Sequence, residues 1–470
     1  MASLADLYAH FVPGYREGFA RDQGSVPLLV PEDVRRMREQ LRTEPEETLR
    51  RARRAVSGEL TFEQLRRLLD HFDWMFQNPD AAILDAGAKG PSLPASFTFP
   101  DVESGERYTA NPDSKQFSDA DWSGFGINCG SAILKRAFAG NQPFRWHTDH
   151  DSKFEYDLTR NANVALFADF ATGLAHSSYI AKFIRAAKPD ATIHLGDVYY
   201  SGRTAEVAAF YDAPLSPLVI ERELWSIPGN HDYYSGGAPF FTSLDRRHAG
   251  YLGGRKHRQE GTYFCLDSPG FRIIAIDGEY HSGTRYDQQP DLQRWLAEKV
   301  AEAKSAGRTV ILLSSDEPYS YDSEQATDLL DDVTASLAPE SIDLWFWGNT
   351  HYCALFKPSD RLRSKFYGSC IGHGGFQYKR LQPPSPSLVA EILWGETEPR
   401  YPWWTGVRQD MGNNGFCMMK LDDDRRTVTL DYIDWTNALR ATATFATVDG
   451  RLALSSMVAK PRPECRAGGV

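Results

Sequence analysis

Side chains that commonly bind metal ions lie directly after four short apolar runs of the chain. Asp169 follows the first run and Asp197 the second, while Asn230 lies in Gly229-Asn230-His231-Asp232 after the third and His351 comes just after the fourth. Carboxylate, amide and imidazole ligands gathered in one place could hold two divalent cations about 3.5–4 Å apart, which activate a hydroxide and clamp the oxygens of a phosphoryl group. Such a pair of ions needs one bridging carboxylate, and Asp197, central in the order, is the natural candidate.

The apolar runs in front of these residues are predicted to be buried β-strands. Residues 175–187 are a predicted helix between strands at 164–168 and 191–195, and the same alternation continues further along the chain. Strands that alternate with helices and end in polar residues indicate an α/β layered domain. Because functional groups of such sheets gather at the carboxyl ends of the strands, we expect the four ligand-type residues to lie along one edge.

Composition is typical of a globular protein and gives no reason to expect nucleic acid as a partner. Of the 470 residues, 41% are hydrophobic and 24% are charged, and the formal net charge is −11. Because phosphate backbones are bound chiefly by lysine and arginine, the chain is not expected to be a general nucleic-acid binder. Without a membrane-length apolar stretch or a signal-peptide pattern, we expect a cytoplasmic protein that does not bind membranes. The six cysteines contain no CxxC pair and are expected to be free thiols.

The pattern along the chain predicts four regions. Residues 1–80 read as a helical appendage, and residues 81–160, rich in Gly, Pro, Ser, Asp and Asn, as an irregular region with some β structure. Residues 161–456 would form the layered domain, and residues 457–470 a C-terminal tail. The appendage would serve as a lid or buttress for the layered domain, or as a partner-binding element.

In order and spacing, these motifs resemble the calcineurin-like metallophosphoesterases, and especially their purple-acid-phosphatase branch. The resemblance covers roughly residues 160–440, and its most specific parts are Gly196-Asp197-Val198-Tyr199-Tyr200 and Gly229-Asn230-His231-Asp232. It implies two β-sheets packed face to face and flanked by helices. It also implies metal-dependent hydrolysis of a phosphate ester on a small-molecule substrate, in which a metal-bound hydroxide attacks phosphorus.

For the first metal, the resemblance implies four ligands. Asp169 and His351 would bind this ion, Asp197 would bridge it to the second, and Tyr200 would bind it as a tyrosinate. Other branches use a histidine two positions after the first aspartate, where this chain has Ala171. The missing histidine and the present tyrosine agree with each other. Because tyrosinate suits ferric iron, iron is the expected first metal.

At the second metal the chain departs from the family. Asn230 keeps the amide position, but Ser315 or Asp316 stands where a histidine is expected, and Asn349 replaces the first histidine of the last motif. If Asp316 and Asn349 reach the ion, the site is all-oxygen and favours Mg²⁺, Mn²⁺ or Ca²⁺. If they do not, a single ion remains at the first site. The loss of two imidazoles favours a weakened or single-metal site.

The resemblance also assigns two residues to catalysis. His231 would touch the substrate phosphate and protonate the leaving alcohol, with Asp232 placed to orient it. The changed second site leaves two alternatives to hydrolysis: an iron site that oxidises a small molecule, and an inactive homologue that binds a partner. His373, or the histidines of residues 147–150, could compensate for the missing ligands.

Overall fold

The computed structural model describes most of the predicted layered domain. It covers residues 31–55, 140–252, 255–280, 290–321, 325–338, 340–362, 365–381, 390–400 and 410–460, with a few single positions between 62 and 136. Large parts of the predicted regions 1–80 and 81–160, and residues 461–470 of the predicted tail, lie outside these ranges.

Helices and strands alternate through the first half of the layered domain, and strands dominate its end. The helices are α1 (Pro31–Thr43), α2 (Pro45–Ala55), α3 (Ala175–Ala187), α4 (Thr204–Glu206), α5 (Ala213–Glu221), α6 (Asn230–Tyr234), α7 (Ala238–His248), α8 (Pro290–Ser305) and α9 (Asp328–Thr334), with a π-helical turn at Val207–Asp212 and a 3-10 turn at His147–Asp149. The strands are β1 (Glu155–Asp157), β2 (Asn163–Phe167), β3 (Ala191–His194), β4 (Glu223–Ser226), β5 (Phe264–Asp267), β6 (Phe271–Ala275), β7 (Thr309–Leu313), β8 (Leu344–Trp347), β9 (Cys353–Phe356), β10 (Tyr367–Ile371), β11 (Ile392–Gly395), β12 (Gly415–Asp422), β13 (Thr427–Asp434), β14 (Leu439–Val448) and β15 (Arg451–Ala459).

The strands form two sheets whose parallel portions carry the predicted ligands. One sheet has the order β1-β5-β6-β7-β8-β10-β9-β11 and the other the order β15-β14-β13-β12-β2-β3-β4. Within them, β2, β3 and β4 run parallel to one another, as do β6, β7 and β8. The loops after these parallel strands therefore leave each sheet at its carboxyl end, where α/β sheets bind ligands.

Alternating side chains of β2 explain why the sheets form layers. Val164 and Leu166 belong to the large apolar core shared by the two sheets, whereas Ala165 and Phe167 pack on the opposite side with Ile180 and its neighbours on α3. This period of two is the spacing by which successive side chains of a strand reach opposite faces. The predicted α/β layered class, with two packed sheets and flanking helices, is confirmed.

Two features expected from the composition, the absence of membrane-spanning segments and the presence of free cysteines, can be compared with the described residues. No helix among them is both long and apolar enough to cross a membrane. The five cysteines they include are buried free thiols: Cys129, Cys265, Cys353, Cys370 and Cys417.

Candidate active site

The loops after β2, β3 and β8 bring Asp169, Asp197 and His351 into one cluster. One ligand atom from each of the three lies within 4.8 Å of the others, and both carboxylates are buried. His351 Nε2 is 3.2 Å from Asp169 Oδ1, and the imidazole stacks on the ring of Phe376 at a centroid distance of 4.2 Å. Three residues from distant parts of the chain thus meet at the carboxyl ends of the strands, where the sequence predicted them.

Four predicted ligand residues adopt the left-handed backbone conformation. The φ angles are 54° at Asp169, 75° at Asp197, 60° at Asn349 and 57° at His351. This region is uncommon for residues other than glycine, and it is found where the surrounding structure imposes it, often at functional sites. The backbone of the cluster is therefore fixed by its surroundings, which aims the side chains before any ligand arrives.

Backbone N–H groups hold one oxygen of each buried carboxylate. The Asn349 N–H donates to Asp169 Oδ2 at 2.9 Å, and the His231 N–H donates to Asp197 Oδ1 at 3.0 Å. Gly229 permits this close approach, because a Cβ at its position would collide with the Asp197 carboxylate. The other oxygens, Asp169 Oδ1 and Asp197 Oδ2, face the tyrosine hydroxyl described next.

The hydroxyl at the centre of the cluster belongs to Tyr199. It donates to Asp169 Oδ1 and lies 3.3 Å from Asp197 Oδ2 and 2.8 Å from His351 Nε2. The motif assigned the metal-binding role to the next residue, Tyr200. The backbone N–H of Tyr200 donates to Glu206 Oε1 at 2.7 Å, and its backbone carbonyl faces His231. The hydroxyl that contacts the two carboxylates is that of Tyr199, and the motif alone could not tell which of the two adjacent tyrosines this would be.

Burial and charge repulsion together raise the pKa values of the cluster. Burial, followed by repulsion from Asp169 and Asp232, raises the pKa of the Asp197 carboxyl well above its ordinary value. Burial and the neighbouring carboxylates of Asp169 and Asp197 raise the pKa of the Tyr199 phenol well above its usual range. A cation would offset this repulsion, since an opposite charge favours the ionised form of a carboxyl.

His231 lies beside the cluster as a buried, neutral imidazole. Its ring packs against Tyr199 at a centroid distance of 4.5 Å, and Nδ1 is 2.5 Å from the carbonyl oxygen of Tyr200. Because a carbonyl can only accept, Nδ1 carries the hydrogen and Nε2 is left as the acceptor nitrogen of the ring. Burial lowers the pKa of His231 to about 4.

The Asp232 carboxylate supports the turn, whereas the sequence assigned it to orienting the imidazole. Asp232 Oδ2 accepts the backbone N–H of Asp197 at 3.0 Å and that of Gly229 at 2.9 Å. Burial raises the pKa of this carboxyl to about 7. Asp232 therefore ties together the two loops that carry Asp197 and Asn230, and the Tyr200 carbonyl is the group that Nδ1 of His231 contacts.

The predicted second-metal residues line a cavity of about 380 Å³ beside the cluster. Asn230, Asp316 and Asn349 all line this cavity, whereas Ser315 does not and has a buried Oγ without a hydrogen-bond partner among the described residues. Of Ser315 and Asp316, it is therefore Asp316 that faces the cavity. The Asn349 amide donates to Glu317 Oε2 at 2.8 Å, and the Asn230 amide to the Tyr234 hydroxyl at 3.0 Å.

Four charged residues of the cavity wall were not predicted, namely Arg136, Glu279, Glu317 and Asp328. Glu317 follows Asp316 directly, and this adjacency was a signal that the sequence offered. Arg136 and Glu279 do not belong to any of the motifs, and no pattern of spacing in the sequence connects them to the cavity.

The histidines considered as replacement ligands have other surroundings. His147 Nδ1 lies 2.9 Å from the Tyr263 hydroxyl, and His150 Nδ1 lies 3.3 Å from Glu260. His373 is buried, its carbonyl accepts the Asn414 amide, and its Nδ1 meets no hydrogen-bond partner in the part of the chain that the structure describes. Burial lowers the pKa of His373 to about 4.

The donor set at the cluster fits a metal ion. Two buried carboxylates, an imidazole nitrogen and a phenol oxygen converge, and hard oxygen with one imidazole suits iron, manganese or zinc. Within the described residues, no other group of three or more His, Cys, Asp or Glu side chains meets the same spacing.

Comparison with known proteins supports the class that this geometry indicates. Residues 162–353 match the family model of the calcineurin-like phosphoesterases, which confirms the predicted family. The matching part of the chain contains Asp169, Asp197 and His351. No curated protein sequence matches the chain significantly.

Two solved structures that match parts of this chain share little sequence with it. One is the purple acid phosphatase PPD1 from yellow lupin (Lupinus luteus) seeds, with 15% identity and a TM-score of 0.46 over 61% of this chain and 54% of that one. Another is TT1561 of Thermus thermophilus, with 13% identity and a TM-score of 0.31 over 46% of this chain and 92% of that one. The chain thus spans about half the length of the lupin phosphatase.

Proposed function

We propose that the protein is a metal-dependent hydrolase of phosphate esters. The observation that carries this proposal is the convergence of Asp169, Asp197, His351 and the Tyr199 hydroxyl at the strand ends of a calcineurin-like phosphoesterase domain. The substrate would enter the cavity lined by Asn230 and Asn349. This volume suits a small organic phosphate.

Asp169, Asp197 and His351 would hold the ion, with Tyr199 as a fourth donor. When bound, the ion supplies Lewis acidity towards the phosphate oxygens and an attacking water. We infer iron at this position from the phenol donor, and Mn²⁺ or Mg²⁺ as a weakly held second ion at Asn230, Asp316 and Asn349. The two aspartates keep one oxygen each for this purpose, because the backbone already occupies the other.

His231 would move a proton at Nε2. Near pH 7 the free imidazole is neutral, because burial lowers its pKa to about 4. The negative charge of a bound phosphate raises that pKa, so the imidazole takes up a proton when substrate is present and can pass it to the departing alcohol. The hydrogen bond from Nδ1 to the Tyr200 carbonyl fixes the ring in the orientation that this transfer needs.

The test is hydrolysis of an activated aryl phosphate or diester by protein loaded with iron or Mn²⁺. We expect His231→Ala to lower turnover by roughly 10²- to 10⁴-fold, the usual contribution of a positioned acid or base. His150→Ala is the matched control, since His150 contacts Glu260 and not the cluster. Metal content measured on the same samples shows whether the variant has kept its ion. Absence of turnover in fully loaded wild-type protein would overturn the proposal.

Oxidative chemistry at a single iron is the second candidate function. It is favoured by the phenol oxygen at the cluster and by the absence, among the described His, Cys, Asp and Glu residues, of a second group with metal-ligand spacing. Oxygen consumption that depends on iron and on a small molecule, without release of phosphate, would separate it from hydrolysis.

A further inference from the structure

Glu279 is a buried carboxylate of the cavity that no described residue satisfies. Its side chain lines the cavity while the residue is only 8% exposed, and no described side chain or backbone group gives its carboxylate a hydrogen bond or an ion pair. Buried carboxylates are normally paired, so a group of this kind indicates a missing partner. That partner would come from the cavity.

The lining of the cavity determines which kind of partner fits. Among the described residues it carries four acidic side chains, of Glu279, Asp316, Glu317 and Asp328, and one guanidinium, of Arg136. Arg136 attracts the Glu279 carboxyl through its charge, and its Nε donates to Asn141 Oδ1 at 2.6 Å. An excess of negative charge around a confined space repels anions and attracts cations. A substrate whose organic part is anionic is therefore disfavoured at this wall.

A compact metal ion is a poor partner for Glu279. A metal needs several ligand atoms around one point, and among the described residues Glu279 belongs to no group of three His, Cys, Asp or Glu side chains with that spacing. Glu317, which follows Asp316 directly in the sequence, already accepts the Asn349 amide. A cation that one carboxylate can satisfy by hydrogen bonds is a primary ammonium group, which carries three donors.

We propose that the Glu279 carboxylate binds an ammonium group of the substrate, so that the preferred ester is a phosphate ester of an amino alcohol. This inference rests on the hydrolase activity proposed above and adds a substrate class to it. The phosphate would lie at the metal cluster and the amine at Glu279 in the cavity beside it. Burial, followed by repulsion from Asp277 and Glu317, raises the pKa of the Glu279 carboxyl to about 8. A bound ammonium group would favour the ionised carboxylate and be held by it.

The test is binding of two matched phosphonates to metal-loaded protein by titration calorimetry. 2-Aminoethylphosphonate and propylphosphonate have the same number of heavy atoms in the chain and differ in the ammonium group. We expect the amino compound to bind roughly tenfold to a hundredfold more tightly, which corresponds to one hydrogen bond to a charged group. In Glu279→Gln this preference should disappear, while the affinity for propylphosphonate stays the same.

Asp328→Asn is the control, because Asp328 lines the same cavity but is exposed, and the substitution removes the same charge. If Asp328→Asn and Glu279→Gln lose the preference equally, the preference comes from the overall negative charge of the cavity and not from a direct contact with Glu279. That result would overturn the proposal. Equal binding of the two phosphonates to wild-type protein would also overturn it, as would a lower metal content in Glu279→Gln. A preference for the amino compound without any turnover of esters would support ammonium binding at Glu279 and reject the hydrolase activity.

Discussion

The paired variants Tyr199→Phe and Tyr200→Phe test which tyrosine serves the metal cluster. In Tyr199→Phe, the lost hydroxyl removes the hydrogen bond to Asp169 and the 2.8 Å contact with His351 Nε2, while the 3.3 Å contact with Asp197 is too long to count fully. The substitution also removes the fourth donor proposed for the ion, and the loss of one polar interaction with a charged group costs about 1.5–3 kcal/mol. We therefore expect the metal affinity to fall roughly tenfold to 150-fold, since each 1.4 kcal/mol is a factor of about ten.

Competition with a chromophoric chelator measures this loss, and the visible spectrum of the iron-loaded protein gives a second readout. A phenolate bound to ferric iron absorbs visible light, and this absorption should vanish in Tyr199→Phe and persist in Tyr200→Phe. The two tyrosines are matched, because both are buried and each loses one hydroxyl. A normal spectrum and affinity in Tyr199→Phe, together with their loss in Tyr200→Phe, would refute the assignment and restore the one made from the motif.

Two further predictions concern the number of metal ions and the pH dependence of stability. Mass spectrometry of metals should find one tightly held ion per chain, and Asp316→Asn should leave it in place while abolishing any second, weaker ion; loss of the tight ion in that variant would contradict the assignment of Asp316. The Asp232 carboxyl has a folded-state pKa of about 7, raised by burial from an ordinary 3.8, so between these values the folded protein binds a proton that the unfolded chain lacks. The free energy of unfolding of metal-free protein should therefore fall as pH rises through this window, by up to a few kcal/mol. Urea midpoints of the wild type and Asp232→Asn should diverge with pH in this direction; parallel curves would contradict it.

The strand-end ligands could be predicted because their positions follow from local patterns. Asp169, Asp197 and His351 each come after an apolar run, and the topology of parallel strands brings such positions together whatever the details of packing. The choice between Tyr199 and Tyr200 depends on the direction of two side chains within one turn. A motif records spacing and not direction, so this choice needed the structure.

The cavity wall could not be predicted, because tertiary packing alone brings its residues together. Arg136 and Glu279 are far apart in the sequence and lie in segments without a repeating pattern. The hydrogen bonds that the Asp232 carboxylate makes could not be predicted, for a related reason. This carboxylate satisfies the N–H groups of Asp197 and Gly229, and backbone donors are present at almost every position and leave no trace in the sequence.

If the cluster binds an ion as proposed, the left-handed conformations at Asp169, Asp197, Asn349 and His351 would make metal supply a determinant of how much folded protein a cell contains. A left-handed residue other than glycine costs about 1–2 kcal/mol, and here the cost adds to the repulsion between buried carboxylates. The ion binds the folded chain alone, so a free concentration about a hundred times its dissociation constant stabilises the fold by about 2.7 kcal/mol. Chains made during metal scarcity therefore carry this cost without compensation, and quality-control proteases would degrade them first.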